Sequence, residues 1–143
     1  MYRYLLDTNI IISGLFWSGN ESELLKLALE NKFNAVICEF VIQETERIID
    51  EKFADMENKI QPILSMLLNS VERYPLISSK KINKFNNKHE NIISDKQDLI
   101  ILATALDAQV DAIITGDKHF DSPKIKQLIT IIDAKKAFEK INS

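Results

Sequence analysis

The 143-residue chain holds one cysteine, Cys38, so an intrachain disulfide and a cysteine-based zinc cluster are both excluded. Three glycines, Gly14, Gly19 and Gly116, are too few and too scattered for a phosphate loop of the GxxxxGK or GxGxxG type. Two histidines, His89 and His119, cannot build a histidine-rich metal site. No apolar run approaches the length of a membrane-spanning helix, so no membrane partner is expected. The start of the chain, where Arg3 precedes short apolar runs cut by Asp7 and Asn9, lacks the pattern of a secretory signal. Together with the lone cysteine this sets the expectation of a cytoplasmic protein. Positive charge is also short: 18 Lys and Arg face 21 Asp and Glu, a net charge of −3. A protein that holds nucleic acid by bulk charge would be basic. If this one handles nucleic acid, it must use a local basic patch or metal ions.

What remains is an ordinary globular composition, 45% hydrophobic and 27% charged, long enough for one domain spanning residues 1–143 with a real core. Residues 2–7 and 33–38 read as strands. The segment "GNESELLKLALEN" reads as a helix, with Asn20 and Glu23 as a capping box. Residues 39–53 read as a helix with Val41, Thr45, Ile48 and Ile49 inward, and 57–73 as another with Pro62 in its early part. A short strand is expected near 74–78. Residues 79–94, "SKKINKFNNKHENIIS", are polar and read as a long loop. A strong helix over 96–109, a strand over 111–115 ended by Gly116, a strand over 126–132 and a helix over 133–141 complete the chain. Strands alternating with helices predict a parallel sheet with helices on both faces.

The stretch "YLLDTNIIISG" raises the question of function: a strand that reads as buried ends on a carboxylate, Asp7. In open parallel sheets, sites lie beyond the C-terminal ends of the strands. Asp117 follows the strand "DAIIT" in the same way, so both acids are expected at one sheet edge. Asp98, with Leu102 and Ala105 at i+4 and i+7, points along the apolar face of its helix, where an unpaired carboxylate is costly. Glu44 flanks the buried stripe of its helix, between Val41 and Ile48, whereas Glu46 and Asp50 point to solvent. Four carboxylates at a core edge would resist ionising together, and a divalent cation removes that difficulty. Oxygen ligands suit Mg²⁺ or Mn²⁺. Taken singly, each acid has a plainer role: a turn or cap for Asp7, a capping box begun by Asp95 for Asp98, a half-exposed helix residue for Glu44 and a turn for Asp117. Their joint placement shifts the balance.

Order and spacing of these segments resemble the PIN-domain ribonucleases. "LLDTNIIISGLFW" is similar to their first motif, "VIQETERII" to the second, and "SDKQDLIILATALDAQVDAIITGDKHF" to the third and fourth. The pattern is closest to the VapC-like group, toxins of toxin–antitoxin pairs. The resemblance implies a three-layer α/β/α sandwich with a central, mainly parallel sheet. It also implies hydrolysis of single-stranded RNA with Mg²⁺ or Mn²⁺, a homodimer and a small antitoxin partner. It makes Asp7, Glu44, Asp98 and Asp117 the metal-binding acids. Thr8, Asn9 and Thr115 become supporting polar groups, and Asp121 an additional acid. Asp95 competes for the role of Asp98, but the helical-face argument favours Asp98 as ligand and Asp95 as cap. The segment 79–94 departs from the pattern, being longer and richer in Asn and Lys than the family suggests.

Several residues carry two readings. Lys80, Lys81, Lys84 and Lys88, with Phe85 and His89, could contact RNA through cations and a stacking ring, or form a solvated loop. His119 reads as a surface-turn residue in preference to a general acid. Phe16 and Trp17 could pack on the sheet edge, line a groove or sit in a dimer contact. Two other functions compete with the nuclease. An α/β phosphatase or phosphotransfer protein would use Asp7 as nucleophile, but the second acid it needs two positions later is Asn9. A non-catalytic RNA- or partner-binding module would have no physical reason to keep a repelling acid cluster.

Overall fold

The computed structural model describes all 143 residues. Five strands form one sheet: β1 (Arg3–Leu6), β2 (Asn34–Cys38), β3 (Glu72–Tyr74), β4 (Ala112–Ile114) and β5 (Thr130–Ile132). Their order is β3-β2-β1-β4-β5, and every neighbouring pair is parallel. Eight α-helices connect and flank them: α1 (Thr8–Phe16), α2 (Asn20–Leu29), α3 (Glu39–Lys52), α4 (Glu57–Ser70), α5 (Ser79–Lys88), α6 (Lys96–Ala108), α7 (Pro123–Leu128) and α8 (Ala134–Asn142). The expected α/β architecture is therefore what the chain adopts. Strands covered on both faces should be apolar throughout, not alternating, and Tyr4, Leu5, Leu6, Ala35, Val36, Ile37, Ala112, Ile113 and Ile114 are all buried.

The strand order sets the position of any site. From β1 the chain moves outward to β2 and β3, with α1 to α4 in the crossovers. It then returns past β1 through α5 and α6 to β4. Right-handed crossovers put these two groups of helices on opposite faces. Packing of α2 against α1, α4 and α8, and of α5 against α6, agrees with that division. The order reverses between β1 and β4, and the crevice beyond the C-terminal ends of these strands is the expected ligand position.

Several expected elements differ from the observed ones. The segment 79–94 is a loop only over 89–94: residues 79–88 form α5, capped by the Ser78 hydroxyl, which accepts from the Lys81 N–H. Its Asn and Lys residues are weak evidence for a helix, but Phe85 packs against the core and Ile82, one turn earlier, lines a hollow with Leu99 and Ile100 of α6. The strand expected over 126–132 is split, because Ser122 caps α7 and Pro123 fits its first position, leaving only Thr130–Ile132 in the sheet. Strand β3 lies at 72–74, not 74–78, and α4 ends at Ser70. Helix α2 starts on Asn20 itself with Gly19 as its cap, so the Asn20–Glu23 capping box is absent and Glu23 pairs with Lys26 instead. Helix α1 follows Asp7 without a break, which sequence reading did not separate from the apolar run.

Candidate metal-binding cleft

Asp7 stands one residue beyond β1. Its backbone N–H still donates to the Ile114 carbonyl of β4 at 3.1 Å, so the ladder fixes where the residue leaves the sheet. Extended backbone at Asp7 then makes it the cap of α1, and its Oδ1 accepts from the Thr8 N–H at 2.7 Å. The other oxygen, Oδ2, accepts from the Thr115 hydroxyl at 2.6 Å. Thr115 lies just past β4, and its Oγ1 in turn accepts from the Asp117 N–H at 3.0 Å. One hydroxyl thus couples the ends of the two central strands.

Asp7, Glu44, Asp98 and Asp117 line a single cleft of about 170 Å³, together with Thr8, Asn9, Arg47, Gln97 and two isoleucines. Glu44 reaches it from the middle of α3, and Asp98 from the first turn of α6. Asp7 is 4% and Asp98 6% exposed, an unusual state for carboxylates. Burial raises the Asp7 carboxyl above its ordinary range. The Thr115 and Thr8 bonds oppose that rise, and the charges of Asp117 and Glu44 add to it. Burial also pushes Asp98 up to about 6, with Asp117 contributing the next part and His119 opposing.

His119 joins this group in a way the sequence reading missed. It is on an exposed turn, as expected, yet its Nδ1 lies 2.8 Å from Asp98 Oδ2 and 3.1 Å from Asp117 Oδ1. The bond to Asp98, then the charges of Asp117 and Asp98, raise its pKa. The signal was the two-residue step from Asp117, whose Oδ1 accepts the His119 N–H and folds residues 118–120 into one turn of 3₁₀ helix. Asp95, Asp98 and His119 offer ligand atoms within 4.8 Å of one another. They are close because they are bonded internally: Asp95 caps α6 through the Asp98 N–H at 2.9 Å, and His119 holds the Asp98 carboxylate. Asp95 does not line the cleft.

Asp121 lies outside the four-acid cleft. Its carboxylate is 68% exposed, pairs with Lys126 at 2.5 Å and borders a separate hollow beyond Asp117. The lysine segment is reshaped as well. Lys81, Lys84 and Lys88 line a groove between α5 and α6 with Phe85 and His89, whose rings are 4.5 Å apart, but Lys80 does not. Lys81 is already paired with Asp107 at 3.2 Å. Trp17 packs edge-on against Phe53, and Phe16 stacks on Phe53 at 3.9 Å, leaving Trp17 58% exposed.

The donor set suits a hard divalent cation. It is made only of oxygens, and it gathers like charges that a cation would balance. One further observation agrees: the buried Thr8 hydroxyl at the cleft wall has no hydrogen-bond partner. A buried hydroxyl left alone is costly unless something in the cleft completes it.

Comparisons with known proteins fit this geometry. The sequence model of the PIN domain matches residues 3–119. Ribonuclease VapC4 of Methanocaldococcus jannaschii is 22% identical over 126 residues, covering 84% of this chain and 95% of the relative. Among solved structures, a chain of VapBC2 from Rickettsia felis, bound to a DNA fragment from their promoter, has a TM-score of 0.69 at 18% identity over 92% of this chain and 98% of that one. A chain of DNA-bound VapBC from Salmonella typhimurium gives 0.65 at 15% identity, over 94% and 99%. A chain of FitAcB from Neisseria gonorrhoeae gives 0.63 at 17%, over 92% and 97%.

Proposed function

Because the chain belongs to the PIN-domain family, we propose that it is a metal-dependent endoribonuclease that hydrolyses single-stranded RNA, and the toxin half of a toxin–antitoxin pair. The observation that carries this reading is the convergence of Asp7, Glu44, Asp98 and Asp117 on one cleft at the reversal point of the sheet. The similarity to a curated ribonuclease of nearly the same length supports it.

Asp7, Glu44, Asp98 and Asp117 would hold Mg²⁺ or Mn²⁺ directly or through water. When bound, such an ion activates water and stabilises charge at phosphorus. The protein's share is positioning. Thr115 fixes the Asp7 carboxylate through Oδ2, and the Thr8 N–H fixes it through Oδ1. His119 orients Asp98 and Asp117 toward each other. The buried Thr8 hydroxyl, which has no partner within the protein, is a polar group left over at the cleft wall. Nucleophilic attack by Asp7 gains no support, since the second acid that such a phosphotransfer site needs two positions later is Asn9.

The antitoxin part of the reading rests on the kinship with chains solved as VapBC and FitAcB. Exposed Trp17 and Met56, near the aromatic cluster at the end of α3, offer a partner apolar surface. The chain is also proposed to form a homodimer.

The test is cleavage of labelled single-stranded RNA by the pure protein with Mn²⁺ or Mg²⁺, with chelator, and by Asp7→Asn. Metal-dependent cutting is expected, falling at least a hundredfold in a folded Asp7→Asn protein. Equal cutting by both proteins would refute the assignment.

A further inference from the structure

Beside the four-acid cleft lies a second hollow of about 190 Å³, lined by Phe40, Gln43, Glu44, Arg47 and Gln97. Glu44, Arg47 and Gln97 line both, so the two are continuous. The sequence accounts for the grouping. Phe40, Gln43, Glu44 and Arg47 stand at i, i+3, i+4 and i+7 of α3, which places them on one helical stripe. Gln97 faces them from the first turn of α6.

Arg47 is the only cation lining either cavity. That matters on a chain of net charge −3 whose cleft is built of acids. A phosphodiester entering this cleft is repelled by every neighbouring carboxylate, and a guanidinium is the group best shaped to hold phosphate oxygens. Arg47 is not locked elsewhere. It is 52% exposed, and its one partner is Glu51, 56% exposed, an i,i+4 surface pair of the weak kind. Phe40 is half-buried in the wall of the same hollow, and Gln43 and Gln97 are exposed beside it. An aromatic ring, two amides that both donate and accept, and a guanidinium held only by a weak surface pair are the parts needed to hold one unstacked nucleotide.

We propose that the hollow of Phe40, Gln43, Arg47 and Gln97 is a nucleotide subsite for single-stranded RNA, adjacent to the acidic cleft. Arg47 holds a phosphate next to the scissile one, Phe40 stacks on a base, and Gln43 and Gln97 read that base's edge. The inference rests on the proposed ribonuclease activity, and it adds where base preference comes from.

The test uses the full-length chain and short fluorescein-labelled single-stranded RNAs that differ at one base. Binding is read by fluorescence anisotropy in Mg²⁺ on an Asp7→Asn background, and cleavage on the wild-type background. Phe40→Leu, which keeps apolar volume but removes the ring, should weaken binding about tenfold. Arg47→Gln should weaken it for all sequences and lower the slope of log affinity against log salt by about 0.7. Gln43→Leu with Gln97→Leu should flatten the preference among the four bases. Thermal melts of each variant confirm folding. If folded Phe40→Leu and Arg47→Gln proteins bind and cut as their parents do, the subsite is refuted while the nuclease stands. If the wild type cuts nothing but these variants still lose RNA binding, the nuclease reading fails and the subsite survives.

Discussion

At the scale of single residues, the site is a set of carboxylates held where they are least comfortable. Asp98 illustrates the cost. Its folded-state carboxyl titrates at about 6, above the ordinary 3.8, because burial disfavours its charge. A raised pKa means the folded state binds the proton more tightly than the unfolded state does. The stability this contributes is present below the ordinary value and is lost as pH rises through about 6. His119 runs in the same direction: its pKa is raised by Asp98, so its stabilising bond also fades as pH rises. Chelator-treated protein is therefore expected to melt at a lower temperature at about pH 7.5 than at about pH 5. Mn²⁺ should reverse the loss at the higher pH, by about 2.7 kcal/mol at one hundred times its dissociation constant. Asp98→Asn should flatten the metal-free pH dependence. Melts that rise steadily with pH in the absence of metal would contradict this account.

At the scale of elements, the cleft depends on helices packed close to the strand ends. Gly14 on α1 marks the tightest approach. A Cβ built there would come within 2.4 Å of Leu25 Cδ1 and 2.9 Å of the Glu21 carbonyl of α2. The leucine could rotate, but the carbonyl is backbone, so α1 and α2 would have to separate. Gly14→Ala is expected to cost about 1–3 kcal/mol despite alanine's better helix propensity, as measured by urea denaturation. Because α1 begins on Asp7, the same change should also reduce metal-dependent cutting. Unchanged stability would mean the two helices are looser than their geometry indicates. Helix α5 is the opposite case, with no fully buried residue and α6 as its main support. Its lysines therefore serve no packing role that would conflict with contacting RNA.

At the scale of the molecule, the opposite edge of the sheet is tied by one side chain. Arg3 forks onto Glu72 of β3 at 3.0 and 2.5 Å and also donates to the Ala108 carbonyl at the end of α6. Its own N–H bonds Asp111 at 2.8 Å, just before β4. The first strand is thereby fastened to the edge strand and to the segment that carries Asp98 and Asp117. The guanidinium holds the Glu72 carboxyl below its usual range. A lowered carboxyl pKa stabilises the fold above about 4.5, and the gain disappears as pH falls through the lower folded value. Arg3→Met should lower stability by about 1 kcal/mol at neutral pH, a modest figure because both side chains are partly exposed. The gap between variant and wild type should narrow in acid as Glu72 takes up its proton, leaving the contribution of the Ala108 bond. A difference equally large in acid and at neutral pH would show that the Glu72 pair contributes nothing.

The class of fold and the candidate acids are legible in the pattern along the chain. Strands alternating with helices along the chain point to a parallel sheet between helices. Local helical geometry sufficed to single out Asp98 and Glu44, since periodicity fixes which face a residue occupies. Helices α5 and α7 are not legible in the local pattern because they rest on single caps, Ser78 and Ser122, and on neighbours far along the chain. That His119 bridges Asp98 and Asp117, that Asp121 pairs with Lys126, and that Arg47 and Gln97 share a cavity emerges only from the folded arrangement. Those facts depend on which strand ends and helix faces meet across tens of residues. A one-dimensional pattern encodes the face a residue occupies on its own element, but not the element that faces it.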